Sequence, residues 1–198
     1  MVPMPTIDCH LRHILSRATD IITDEVLNCS SLAELHAMKF ADVHPAFCRE
    51  AHIQSLLFAG LRPAGYFTLA ETTYETPTSP SRRIDLGVWL PDRDARLYLE
   101  VEQCGPQAGF QYVLRDARKL IEDRSTNPRD QIRAVFVYGF SGPESREDGF
   151  REKYESMGAA LEEKGFTRVG INYRKLGVKL FNCLQTGLWA LGSSRAPQ

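Results

Sequence analysis

Apolar and polar positions alternate most regularly between Arg82 and Gln103. Ile84, Leu86, Val88 and Leu90 alternate with Arg83, Asp85, Gly87 and Trp89. Beyond Pro91-Asp92-Arg93-Asp94, Leu97, Leu99 and Val101 alternate with Tyr98, Glu100 and Glu102. Successive side chains of a strand point to opposite faces, so each run has one apolar face. The Pro- and Asp-rich tetrapeptide between them fits a tight reversal. The pattern predicts a hairpin with Asp85, Glu100 and Glu102 on one face. Three carboxylates there repel one another unless something cationic lies among them.

Elsewhere the periodicity is mostly helical. Leu11, Ile14, Leu15, Ala18, Ile22 and Val26 predict one or two helices within residues 1–31, packed onto the rest of the chain. Ser31 followed by Glu34 fits a capping box and predicts that a short helix starts there. Pro45 opens a helix whose stripe is Ala46, Glu50, Ile53, Leu57 and Leu61, ended by Arg62-Pro63. Gly65–Thr76 reads as a strand in which Phe67 and Leu69 alternate with Thr68 and Ala70, and Pro77–Ser81 as a turn. A helix from about Phe110 to Asp123 carries Val113, Leu114, Ala117, Leu120 and Ile121, and 125–130 is a loop.

The apolar run Ile132–Phe140 reads as a central strand covered on both sides. A helix follows over Glu144–Lys164, ended by Gly165. Then comes a strand over Phe166–Arg174, with Phe166, Arg168 and Gly170 facing away from Thr167, Val169 and Ile171. The apolar tail Val178–Leu191 reads as a strand running into a helix, with a frayed end beyond it. The fold class is therefore α/β, a mixed central β-sheet flanked by helices.

Composition narrows the partners. The 198 residues are enough for one domain with a real core, and 43% hydrophobic with 25% charged residues is ordinary for a globular protein. A net charge of −1 means that any nucleic-acid surface must be local. The five cysteines are scattered and odd in number, which argues against a zinc site or a disulfide framework and suits a reducing cytoplasm. No apolar run is long enough to span a bilayer, and the N-terminus lacks the pattern of a signal peptide. The five His all precede the hairpin and show no metal-ligand spacing.

An Asp on one strand, a reversal, and Glu-x-Glu on the next resembles the PD-(D/E)xK nuclease superfamily, which has the restriction-endonuclease-like fold. Asp85 matches the motif Asp, Glu100 its second acid, and Glu102 stands where Lys is usual; no Pro precedes Asp85. The resemblance implies an αβββαβ core over residues 45–140. Residues 1–44 would then be an N-terminal helical extension, and 141–198 an added helix, strand and tail. It implies a catalytic set of Asp85, Glu100 and Glu102, with Glu50 reaching the site from the first core helix. Mg²⁺ or Mn²⁺ would be held by Asp85 and Glu100, and Glu102 would orient or deprotonate the attacking water.

DNA is the implied partner, positioned by Arg82, Arg83, Arg115, Arg118 and Arg124, and a homodimer is compatible. Lys119 would stand in for the motif Lys. Two simpler readings compete: acids on a solvated sheet face paired with nearby Arg, and Lys119 as a solvated helix residue. Two function classes follow. One is a metal-dependent DNA nuclease; the other is a nuclease-fold module that binds protein or nucleic acid without catalysis.

Overall fold

The computed structural model describes residues 6–36, 49–76, 79–91, 95–105, 109–122, 131–142, 147–178 and 181–191. The elements run α1 (Ile7–Leu35), α2 (Glu50–Leu61), a 3₁₀ turn (Arg62–Ala64), β1 (Phe67–Thr76), β2 (Ser79–Trp89) and β3 (Arg96–Gln103). Then follow α3 (Gln111–Glu122), β4 (Gln131–Ser141), α4 (Glu147–Glu162), β5 (Phe166–Lys175) and β6 (Cys183–Leu191). The fold is α/β: six strands form one mixed sheet in the order β1-β2-β3-β4-β6-β5. Among the described strands only the β3–β4 pair is parallel, because α3 carries the chain back across the sheet between them. Among the described residues no helix is long and apolar enough to cross a membrane.

Each face of the sheet has its own core. On one, α1 and α2 bring Ile14, Ile22, Ile53, Leu57 and Leu61 onto Leu86, Val88, Leu97, Leu99 and Phe136. On the other, α3 and α4 bring Val113, Ala117, Leu120, Phe150, Tyr154 and Met157 onto Val135, Val137 and Trp189. Strand β4 is buried along nearly its whole length, as a run without alternation requires of a central strand. Gly165 ends α4 at φ +91°, a conformation that costs glycine little.

Several expectations need correction. No helix starts at Ser31: α1 is continuous to Leu35, and the Ser31 hydroxyl donates to the Leu27 carbonyl one turn back, at 3.0 Å. The tail contains no helix within the described residues. Strand β6 is buried from Cys183 to Ala190 between β4 and β5, where both faces are covered and period carries no signal. Ser79–Ser81 belong to β2 rather than to a turn.

In β5 the register slips between Arg168 and Gly170, so Val169 faces the α1 side while Phe166 and Ile171 share the other. One extra residue in a bulge inverts the alternation after it. Ile84 packs in the α3–α4 cluster, opposite Leu86 and Val88. Beyond Leu86 strand β2 pairs with β1 alone, and a two-stranded ribbon twists more than a full sheet. In β1 Thr68 is buried, whereas Phe67 and Leu69 are exposed. Readings placed on Pro45, Ala46, Pro77-Thr78, the Asp92–Asp94 tip, the 125–130 loop and the end past Leu191 lie outside the described residues.

Candidate active site

The hairpin register pairs Leu86 with Leu99 and Trp89 with Arg96. Continued by one residue, it sets Asp85 across from Glu100. The ladder ends there, and Asp85 replaces it: its Oδ2 accepts the Val101 N–H at 2.7 Å. That bond draws the carboxylate back over β3, and a side-chain hydrogen bond joins Asp85 to Glu100. Glu100 is 4% exposed and Glu102 7%. Two residues apart on one strand face, they lie roughly 7 Å from each other.

The sequence reading missed a fifth acid. Asp116 is 2% exposed on α3 and hydrogen-bonds to Glu102. It sits three residues after Val113 and four before Leu120, inside the buried stripe. The signal was an acid at an apolar position of a helical period, the same signal that singled out Glu50. Lys119, one turn on, forms an ion pair with Asp116, and Arg115 Nε lies 3.4 Å from the same Oδ1. Glu50 is half-buried at the start of α2, where its Oε1 accepts from Gln54 at 3.0 Å. It lies close enough to feel the charges of Asp85 and Asp116.

The acids therefore do not all ionise at neutral pH. Burial, then the charge of Asp85 and the hydrogen bond to it, pushes Glu100 from 4.5 up to about 9. Burial, then the hydrogen bond and charge of Asp116, pushes Glu102 to about 9. Asp85 is raised by burial, although the Val101 N–H and Glu100 hold it down in part. Asp116 goes the other way: burial would raise it, but hydrogen bonds from Glu102, Lys119 and Arg115 outweigh that and lower it. Glu50 is raised by burial and by the neighbouring acids.

The basic residues divide. Lys119 and Arg115 stand at the acids, while Arg118 is exposed on α3. Arg83 pairs with Glu71, 3.0 Å away at the surface. Arg124 and the Arg82 side chain lie outside the described residues. The reading of Asp85, Glu100 and Glu102 as water-solvated surface acids does not hold for Glu100 and Glu102, which are buried, while Asp85 is half-buried.

Among the described residues no three His, Cys, Asp or Glu are gathered tightly enough to hold a metal ion by themselves. A Mg²⁺ ion asks less: one or two carboxylates, with waters completing the shell. Asp85 and Glu100 fit that smaller set. Their carboxyls meet, and Glu100 Oε1 is buried without a hydrogen-bond partner. A buried carboxyl oxygen with no donor costs free energy that a cation would recover. No protein-family model matches the chain, and no curated protein or solved structure matches it.

Proposed function

We propose that the chain is a metal-dependent nuclease that hydrolyses phosphodiester bonds of DNA. The observation that carries this is the cluster of a half-buried Asp85 with buried Glu100, Glu102 and Asp116 where the β2–β3 ladder opens, edged by Lys119 and Glu50. The order α2-β1-β2-β3-α3-β4 supports a restriction-endonuclease-like core. Strongly shifted carboxyls in one cluster are costly to a fold and are typical of working sites.

In this reading Asp85 and Glu100 hold Mg²⁺ or Mn²⁺. A bound divalent ion polarises the phosphate and lowers the pKa of a bound water. The Val101 N–H fixes the Asp85 carboxylate, and a metal would take the place of the proton that joins Asp85 to Glu100. Glu102 is the proton acceptor nearest the motif position of Lys. With Asp116 as its partner it keeps its proton at neutral pH, so it takes one from water only once ionised. Lys119 and Arg115 hold Asp116 charged and add positive charge beside a phosphate.

The second reading is a nuclease-fold module that binds without cleaving. What favours it is Glu102: its proton is shared with Asp116, and no Lys stands at its position. Cleavage of labelled single- and double-stranded DNA in Mg²⁺ or Mn²⁺, beside calorimetric Mg²⁺ titration, separates the two. The nuclease reading expects cleavage that Asp85→Asn and Glu100→Gln abolish together with metal binding. Wild-type protein that binds neither ion and cleaves nothing leaves the binding module.

A further inference from the structure

The face of the sheet that carries the acids continues into two aromatics, a half-buried Trp89 and an exposed Phe67. Asp85, Gly87 and Trp89 share one side of β2, because Leu86 and Val88 fill the opposite core. Trp89 pairs across the ladders with Phe67 of β1 and with Arg96 of β3. The Phe67 and Trp89 rings meet edge to face, 5.3 Å between centroids, and the Arg96 guanidinium lies 5.3 Å from the Trp89 ring. Phe67 is 56% exposed, a large apolar ring left in water at the sheet's β1 end. A Cβ on Gly87 would come within 3.1 Å of Trp89 Cζ3, so the indole leans over the glycine, back toward the acids. Four residues of strand separate Trp89 from Asp85, about 13 Å.

The same pairing recurs beyond the acids. Arg133, whose Cα faces Tyr98 on β3, donates to the Leu120 carbonyl, and Asp116 bonds to Glu102. Helix α3 thus runs back along β3, and Tyr112 stands past Glu102. Tyr112 is 62% exposed, with the Arg115 guanidinium 5.1 Å from its ring. A ring carrying an arginine therefore flanks the acids on each side, Tyr112 exposed and Trp89 half-buried against the exposed Phe67.

We propose that these two aromatic platforms stack unpaired nucleobases, and that the ligand of this site is single-stranded nucleic acid. The proposal rests on reading the acids as a phosphodiester site. Bases present flat apolar faces and the backbone presents negative charge, which matches alternating rings and arginines. A duplex keeps its bases stacked within and offers no such faces.

The full-length protein is titrated in EDTA with fluorescein-labelled oligothymidylate and with a blunt duplex of mixed sequence, following anisotropy and tryptophan emission. Of the two tryptophans, Trp189 is fully buried, so quenching reports Trp89. The single strand is expected to bind more tightly than the duplex and to quench emission. Trp89→Ala should weaken binding roughly ten-fold at unchanged melting temperature, and Trp89→Phe much less. Should Trp89→Ala fail to fold, Phe67→Ala and Tyr112→Ala, both at exposed rings, carry the same comparison.

Folded variants that bind as wild type would overturn the proposal. So would equal binding of the duplex without quenching, or a wild-type dimer that Trp89→Ala converts to monomer, which makes the patch an interface between copies. Because binding is read without metal, the nuclease reading fails separately. Quenching without any cleavage in Mg²⁺ keeps the platforms and removes hydrolysis. Cleavage that is indifferent to strandedness, without quenching, does the reverse.

Discussion

Two polar groups are buried on opposite faces of the sheet, and they are built differently. On the α1 side, Thr19 Oγ1 donates to the Leu15 carbonyl at 2.7 Å, meets Thr186 Oγ1 at 2.7 Å and accepts from Asn172 at 3.0 Å. That uses the one donor and two acceptor sites of a hydroxyl. On the α3 side, four carboxyls share hydrogen bonds among themselves, two have pKa values of about 9, and Glu100 Oε1 has no partner. The first group is neutral and complete, and it ties α1 to β5 and β6. The second is charged and incomplete, and the fold bears its cost. A cluster that stability alone had shaped would resemble the first.

The widest break in that comparison comes from activity. Asp85→Asn or Glu100→Gln is expected to bring DNA cleavage to background while the melting temperature holds or rises, because like-charge crowding is relieved. Cleavage assays beside thermal melts check both halves, and a fall of several degrees with cleavage retained would sink the contrast. Next is Glu102→Gln. If Glu102 accepts the proton of water, turnover drops by roughly two to four orders of magnitude, with Mg²⁺ affinity less affected. Turnover near wild type would remove it from the site.

Thr19→Val should act the opposite way. It strands the Thr186 hydroxyl and the Asn172 amide, at about 1–3 kcal/mol. For a chain of this size that lowers the melting temperature by roughly 2–10 °C, with cleavage per folded molecule unchanged. An unchanged melting temperature would mean that the hydroxyl network is not what anchors α1.

The smallest effect is in pH. Glu100 and Glu102 are raised from 4.5 to about 9, so the folded state keeps protons that the unfolded chain releases. Without metal, stability should decline as pH rises from about 5 toward about 9, by a few degrees in melting temperature. Asp116, lowered, contributes in the other sense and loses its share as pH falls through the acid range. Glu100→Gln should flatten the alkaline slope. Metal must displace the protons, so Mg²⁺ should bind more tightly with rising pH and release protons into the buffer. Proton-linked calorimetry reads this directly, and an affinity flat from pH 6 to about 9 would contradict it.

Much of the layout was legible because it is local. A period of two marks β2 and β3, a period of 3.6 marks α2 and α3, and a continuous apolar run marks a covered strand such as β4. The hairpin register then sets Asp85 opposite Glu100 without further information. Local pattern failed where tertiary context overrides it. Ser31 can cap a helix or bond back within one, and only continuation to Leu35 decides. Phe67 and Leu69 look like core until Thr68 is found beneath α2, its hydroxyl donating to the Phe58 carbonyl at 2.8 Å.

By itself the sequence determined the α/β class, the alternation that aligns Asp85, Glu100 and Glu102, and the helix stripe that carries Glu50. These follow from neighbours within a few residues, whose relative directions the backbone dictates. Only the tertiary structure decided that Glu100 and Glu102 are buried, that Asp116 and Lys119 join them from α3, and that Phe67 and Tyr112 stay in water on either side. Burial, charge pairing and exposure depend on which elements pack against each other, and contacts between residues far apart in the chain leave no period in it to read.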